Sequence, residues 1–375
     1  MNLQQFLSTK PLYYKKFDPT RMQRAYNVIK DKLTTPPIIH IIGTNGKGTT
    51  GRFLAGILKL AGKRAGHYTS PHIVAFKERI WIDGNYITEQ KLEEMHQRLQ
   101  QLLPQEVLQE LSYFEYTTFL AVLAFEGLDF AILEAGLGGE YDATAVFPNI
   151  LTLVTPIDYD HQDFLGQSIE KIATTKLKAV KKMALIGAQS HQEVFAVARK
   201  LGIKYEKIAV EKTHQEICLQ EGLAPFYAAN LALAAAGAKK LGIEPDLRKA
   251  VQFRLPGRTQ RIGNIILDVG HNPLAARALA STIDKETILI YNTYADKEYK
   301  KILKIFAPKI KEVQILPVKN ERIVAPQKLQ DALEELGLRY RFFERVLPEE
   351  SYLVFGSFSV VEEFVKRCGL AITNV

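Results

Sequence analysis

Cysteine is scarce in this chain. Two residues in 375, Cys218 and Cys368, exclude a disulfide framework and a cysteine-rich metal site. That usage fits a reducing compartment, and the cytoplasm is the expected location. Long hydrophobic runs are missing as well, so no segment reaches the length needed to span a membrane. The first residues, MNLQQFLSTKPLYYKKF, lack the apolar core of a signal peptide. Lys and Arg outnumber Asp and Glu by 49 to 41, yet they form no block of the kind that binds nucleic acid. The net charge of +8 suits polyanionic small molecules, or serves solubility alone. Neither an internal repeat nor a low-complexity stretch occurs.

What is present is an ordinary globular composition, 47% hydrophobic and 24% charged, in a chain long enough for two cores. Apolar strand-like runs alternate with helical patterns, the signature of an α/β fold with mainly parallel sheets. Strands are expected at Ile38–Ile42, Ala65–Tyr68, Phe130–Leu133 and Ile150–Val154. Helices are expected over about Thr88–Leu103, Thr117–Glu126 and Ala224–Leu241. Arg254-Leu-Pro-Gly-Arg258 interrupts the pattern and reads as a linker. Past it the pattern restarts, with strands at Asn264–Val269, Thr287–Tyr291, Val313–Leu316 and Tyr352–Phe355. Asn272 and Pro273 supply a cap and a first helical residue between the first two. The expected division is a first domain over 1–254 and a smaller Rossmann-like α/β domain over 255–375.

Ile38 to Thr50 reads IIHIIGTNGKGTT, a buried strand breaking into glycines around Lys47 and then entering a helix. Such a loop holds nucleotide phosphates, because backbone N–H groups approach the oxygens while the helix N-terminus and lysine add positive potential. A hydroxyl after the lysine can bind magnesium. The spacing departs from GxxxxGK[ST]: Ile41 stands at the first glycine, and Gly48 separates Lys47 from Thr49. Three further groups follow apolar strands, where open α/β sheets bind ligands. They are Ser70 and His72 in Thr69-Ser-Pro-His72, Glu134, and His161 behind Asp158 and Asp160. Taken singly, each has an ordinary structural reading; together they favour a magnesium–ATP site.

The combination resembles the Mur ligase superfamily, and within it folylpolyglutamate synthase and dihydrofolate synthase. The resemblance rests on Arg21-Met22, Gly43-Thr-Asn-Gly-Lys-Gly-Thr49, Thr69-Ser-Pro-His72 with Glu78-Arg79-Ile80, and Phe114-Glu-Tyr-Thr117. It continues through Glu134-Ala-Gly-Leu-Gly-Gly139, Asp142-Ala-Thr144, Asp160-His161, Leu165-Gly166, Lys176, Pro256-Gly-Arg258, Asp268-Val-Gly-His-Asn-Pro273 and Asp296-Lys297. The loop variant is that family's own form. The chain departs from the family at Glu140, Ala145, Thr175 and Phe226-Tyr227.

The resemblance implies ATP-dependent ligation of L-glutamate to dihydropteroate, to the glutamate tail of a folate, or to both, through an acyl phosphate. It implies that Thr44, Asn45, Gly46, Lys47, Gly48 and Thr49 hold the triphosphate, with Asn230, Arg258 and Asp268 also on ATP. It places Thr49, Ser70, Glu134, His161 and a carbamylated Lys176 around two magnesium ions, with Lys47, His161 and Lys176 serving catalysis. Phe114, Tyr141, Asp142 and Ala143 correspond to the pterin pocket, and His271, Asn272 and Asp296 to the region of the incoming glutamate. A monomer acting on small molecules, without nucleic acid or membrane, is the expected state. A muramyl-peptide ligase would carry a nucleotide-sugar domain ahead of the loop, where this sequence has about forty residues. A non-catalytic nucleotide-binding protein is the other alternative, and it would not need Lys176.

Overall fold

The computed structural model describes residues 1–11, 18–284 and 286–372. It divides into two compact units, one of residues 1–214 with 228–253, the other of 215–227 with 254–375. No helix among the described residues is long and apolar enough to cross a membrane.

The first unit is built on strands β1 (Ile38–Ile42), β2 (Ala65–Tyr68), β3 (Ile80–Ile82), β4 (Asn85–Tyr86), β5 (Phe130–Glu134), β6 (Leu151–Val154), β7 (Ala184–Ile186) and β8 (Tyr205–Lys207). They form one sheet in the order β4-β3-β2-β5-β1-β6-β7-β8. From β2 to β8 all neighbours are parallel, and only the β2–β3 and β3–β4 pairs at one edge are antiparallel. All five residues of β1 are buried, as a central parallel strand covered on both faces requires. One core gathers Met22, Leu92, Leu99, Tyr116, Phe119 and Phe147, and a second lies beneath the helices Ile169–Leu177 and Glu193–Lys200.

The helix expected to open at Thr117 opens at Tyr113 and runs to Ala124. Ser112 caps it, accepting from the Glu115 amide, while Glu115 accepts from the Ser112 amide at 2.7 Å. This reciprocal pair satisfies two amides at the helix start and lets it begin a turn earlier than the apolar run. Arg21 lies 2.8 Å from Glu115 in a largely buried ion pair, so two stretches of the family resemblance meet here.

The second unit has strands β9 (Gln260–Ile262), β10 (Ile265–Leu267), β11 (Thr287–Tyr291), β12 (Ile310–Ile315), β13 (Tyr340–Phe342) and β14 (Ser351–Phe355). Their order is β13-β12-β11-β14-β10-β9, all parallel except β9 against β10. Asn272 caps the helix Pro273–Ala280 by accepting from the Ala275 amide at 2.9 Å, as its sequence position foretells. The mixed α/β architecture of both units is the one the alternating pattern calls for.

Candidate active site

Strands β2, β5, β1 and β6 are neighbours and run the same way, so their C-terminal ends share one edge of the sheet. Ile41 is in register with Glu134 and Ile42 with Val154. Thr69-Ser70, Glu134, the glycine loop and the stretch Thr155–His161 therefore leave the sheet side by side.

The loop is held from beneath. Thr44 and Asn45 donate their amides to the Pro156 carbonyl at 2.9 and 3.4 Å. The Thr44 hydroxyl donates to the Asp158 carbonyl and accepts from the Asp158 amide. Gly46 precedes the helix Lys47–Leu60 with φ of +85°, and a Cβ there would stand 2.4 Å from Asn230 Oδ1. A side chain is thus excluded by backbone strain and by space. Asn230 sits behind the loop, accepting from the Thr50 hydroxyl at 3.4 Å. Lys47 curls back, its Nζ 3.3 and 3.1 Å from the carbonyls of Gly43 and Thr44. Thr49 is buried one turn into the helix.

Glu134 is 5% exposed, and its Oε2 accepts from the Thr69 hydroxyl and, at 3.3 Å, from the Ser70 amide. Ser70 and Glu134 are therefore drawn to one point. His161 adopts a left-handed φ of +48° and lies beside Asp160, whose Oδ1 accepts from the His161 amide. Thr49, Ser70 and Glu134 offer oxygen donors, the type a hard divalent cation prefers. These residues fit magnesium. No cluster of three or more His, Cys, Asp or Glu side chains forms among the described residues, and the expected ligands include only two of those types, Glu134 and His161.

Lys176 occupies the helix Ile169–Leu177, which Ser168 caps. It is 2% exposed, with Nζ donating to the Leu137 carbonyl at 3.0 Å. Burial and the neighbouring Lys47 cation push its amine from an ordinary 10.5 down to about 7, against the pull of Asp160 and Asp142. Gly139 is what lets this helix approach: a Cβ there would lie 2.4 Å from Lys176 Cα.

Asp142 has its carboxylate committed to its own loop. Oδ2 accepts from the amides of Leu137 and Gly138, while Oδ1 accepts from the Thr144 amide and hydroxyl. With its proton so used, Thr144 Oγ1 accepts from His40 Nε2 at 2.7 Å. Burial holds His40 neutral, down to about 4. Of the other residues that the resemblance assigns to the pterin, Ala143 is buried, Tyr141 is exposed, and Phe114 stacks on Tyr68 with ring centres 5.8 Å apart.

In the second unit Asp268 is buried. Its Oδ1 accepts from the Gly270 amide, and its Oδ2 accepts from the Thr259 amide and hydroxyl. Burial raises its carboxyl above the ordinary value in spite of Arg258 and these donors. Thr259, with φ of +47°, is thereby pinned in a left-handed turn. Arg258 packs over the Phe358 ring at 4.9 Å, and its buried Nη1 makes no hydrogen bond among the described residues. His271 Nδ1 lies 3.1 Å from the Val269 carbonyl.

Sequence reasoning missed Gln189 and His191. Gln189 accepts from the Ile157 amide and donates to the Thr155 and Gly187 carbonyls, and His191 Nε2 lies 3.0 Å from Asp158 Oδ1. Together they brace the stretch that carries Asp158, Asp160 and His161. Their signal was available: both follow the short apolar run Ala184–Ile186, which is β7.

A glycine–lysine loop flanked by acidic and hydroxyl groups on parallel strand ends, with a second buried lysine at hand, defines an ATP-dependent ligase of the phosphate-loop α/β class. No family model matches the sequence. A curated dihydrofolate synthase/folylpolyglutamate synthase from Buchnera aphidicola is 30% identical over 94% of this chain and 97% of its own length. The crystal structure of Helicobacter pylori folylpolyglutamate synthetase is 38% identical, with a TM-score of 0.79 and 97% of each chain covered. A Yersinia pestis bifunctional folylpolyglutamate synthase/dihydrofolate synthase complexed with AMPPNP and a Mn ion is 26% identical, with a TM-score of 0.83 over 98% of both chains. This chain belongs to the dihydrofolate synthase/folylpolyglutamate synthase family.

Proposed function

We propose that the protein joins L-glutamate to dihydropteroate, to the terminal glutamate of a folate, or to both, at the expense of ATP. The substrate carboxylate oxygen attacks the γ-phosphorus in line, forming a new P–O bond as ADP leaves. The glutamate amine then adds to the carbonyl of the acyl phosphate, and the amide forms as phosphate and a proton depart. Lys47 sits one helical turn from the loop's own carbonyls, partners that a triphosphate would replace, and its charge opposes that building on the phosphoryl group. Magnesium held by Thr49, Ser70, Glu134 and His161 would neutralise the remainder of that charge.

The observation that carries this reading is Lys176. Its amine is buried, donates to the Leu137 carbonyl, and is pushed by burial and by Lys47 down to about 7, which leaves it able to lose its proton. It is positioned to react with carbon dioxide, releasing a proton and becoming a carbamate able to serve a second metal ion. Arg258 is assigned to ATP: its buried Nη1, which makes no hydrogen bond among the described residues, suits a phosphate oxygen. Asp268 supports it by fixing the turn at Thr259. Phe114 and Tyr141 are assigned to the pterin, and His271 to the incoming glutamate. The protein works in the cytoplasm as a monomer.

The test supplies dihydropteroate and tetrahydrofolate separately, with ATP and glutamate, and weighs the products. A mass gain of one glutamate on either acid supports the reading and tells which step is catalysed. No product from either acid would overturn it.

A further inference from the structure

His72 has no assigned role, yet the backbone that carries it and one of its ring nitrogens are both held by hydrogen bonds. The stretch that bears it is fixed by Glu78, which accepts from the backbone amides of Ile73, Val74 and Ala75 at 2.8, 2.9 and 2.7 Å. Arg79, the next residue, donates its Nε–H to His72 Nδ1 at 2.8 Å. A guanidinium nitrogen is always a donor, so Nδ1 must be the unprotonated nitrogen and the ring proton must reside on Nε2. That Nε2–H makes no hydrogen bond among the described residues.

The surroundings indicate what it faces. Phe76 meets the His72 ring edge-on with centres 6.2 Å apart, and Tyr113 meets Phe76 in the same way. The Arg79 guanidinium lies over both aromatic rings, 5.9 Å from Phe76 and 5.2 Å from Tyr113. Tyr113 immediately precedes Phe114, the residue assigned to the pterin, so this cluster adjoins the planar heterocycle's expected place, while the triphosphate is served by the glycine loop. A cation bonded to the far side of the imidazole also polarises Nε2–H and strengthens it as a donor.

We propose that His72 is a substrate-binding residue for the acid substrate, its Nε2–H donating to a carbonyl oxygen or unprotonated nitrogen of the planar heterocycle, with Arg79 as the positioning residue that fixes the tautomer. This rests on the reading of the protein as a ligase of pteroate-type acids. The arrangement places no demand on ATP or on the glutamate amine, so the effect should be confined to one substrate.

The experiment compares His72→Leu and His72→Gln with the unaltered protein in steady-state assays. Gln can present an N–H near the place of Nε2, and Leu cannot. Loss of one hydrogen bond predicts a rise of about tenfold in KM for the acid in His72→Leu, with KM for ATP unchanged and His72→Gln restored to within about threefold. Nitrogen-15 NMR of labelled histidine in the unaltered protein should show the proton on Nε2, independently of turnover. A proton on Nδ1, an equal rise in KM for ATP, or His72→Gln no better than His72→Leu would each overturn the proposal. Absence of turnover with every acid in the unaltered protein would instead overturn the reading beneath it.

Discussion

The C-terminal strand ends of the two units treat their charged groups differently. In the first unit Lys47 and Lys176 rest on backbone carbonyls, of Gly43 and Thr44 in one case and Leu137 in the other. Such neutral partners are easily exchanged for an anionic ligand. In the second unit Asp268 is saturated by the Thr259 and Gly270 amides and a hydroxyl, and Asn272 is spent on a helix cap. The first edge keeps its charges available, whereas the second uses its polar groups to shape a turn and leaves one guanidinium nitrogen, Arg258 Nη1, without a hydrogen bond among the described residues. Chemistry belongs with the loosely held charges and positioning with the tightly held ones.

Four perturbations test that contrast. Lys47→Ala should have the largest effect, lowering glutamate-dependent phosphate release by about three orders of magnitude with little change in Tm. If Lys47→Ala instead unfolds the protein while turnover per folded molecule persists, the contrast is wrong on its first side. Asp268→Ala should do the reverse, costing about 1–3 kcal/mol in denaturant titrations because three buried donors lose their acceptor. Unaltered stability in that variant would show the turn at Thr259 to be self-supporting. Arg258→Ala is expected to raise KM for ATP by about tenfold, one charge-assisted hydrogen bond's worth, at nearly constant Tm. An unchanged KM for ATP would remove Arg258 from the nucleotide site.

The smallest effect concerns pH. The folded chain releases the Lys176 proton near pH 7, whereas the unfolded chain keeps it to about 10.5. The unfolded state therefore binds more protons between those values, and stability rises with pH across that window. In buffer freed of carbon dioxide, Tm should climb relative to Lys176→Met by a few degrees per unit above neutrality, on the order expected from linkage. A parallel pair of curves would mean that the amine stays charged in the fold.

Much of this was legible beforehand, because a buried parallel strand must be apolar on both faces and must end in whatever binds the ligand. The strands around Ile38–Ile42 and Phe130–Glu134, the loop at Lys47 and the candidate Glu134 all follow from that rule. Lys176 was different: a lysine in a KLKAVKK run carries no periodic signal, and only the family resemblance singled it out, whereas His161 was marked by its place after an apolar strand. The Tyr113–Ala124 helix was placed late because it is buried all round, so its apolar residues mark no single face. Nor could the excursion of residues 215–227 into the second unit be read, since it depends on contacts distant in sequence. Asp142 illustrates the same limit. Its partners Leu137, Gly138 and Thr144 are close in sequence, but nothing in the residue type says that the carboxylate turns inward to fold a loop.

Gly139 has a use outside the protein chemistry. Because its backbone lies against Lys176 itself, any side chain at 139 pushes directly on the helix that carries this lysine. In duplicated genes freed from selection, neither the glycine nor the lysine is held any longer, and a side chain at 139 marks a copy whose helix has been displaced. Position 139 then offers a quick means of sorting working copies from silent paralogues in raw genome data, before any protein has been made.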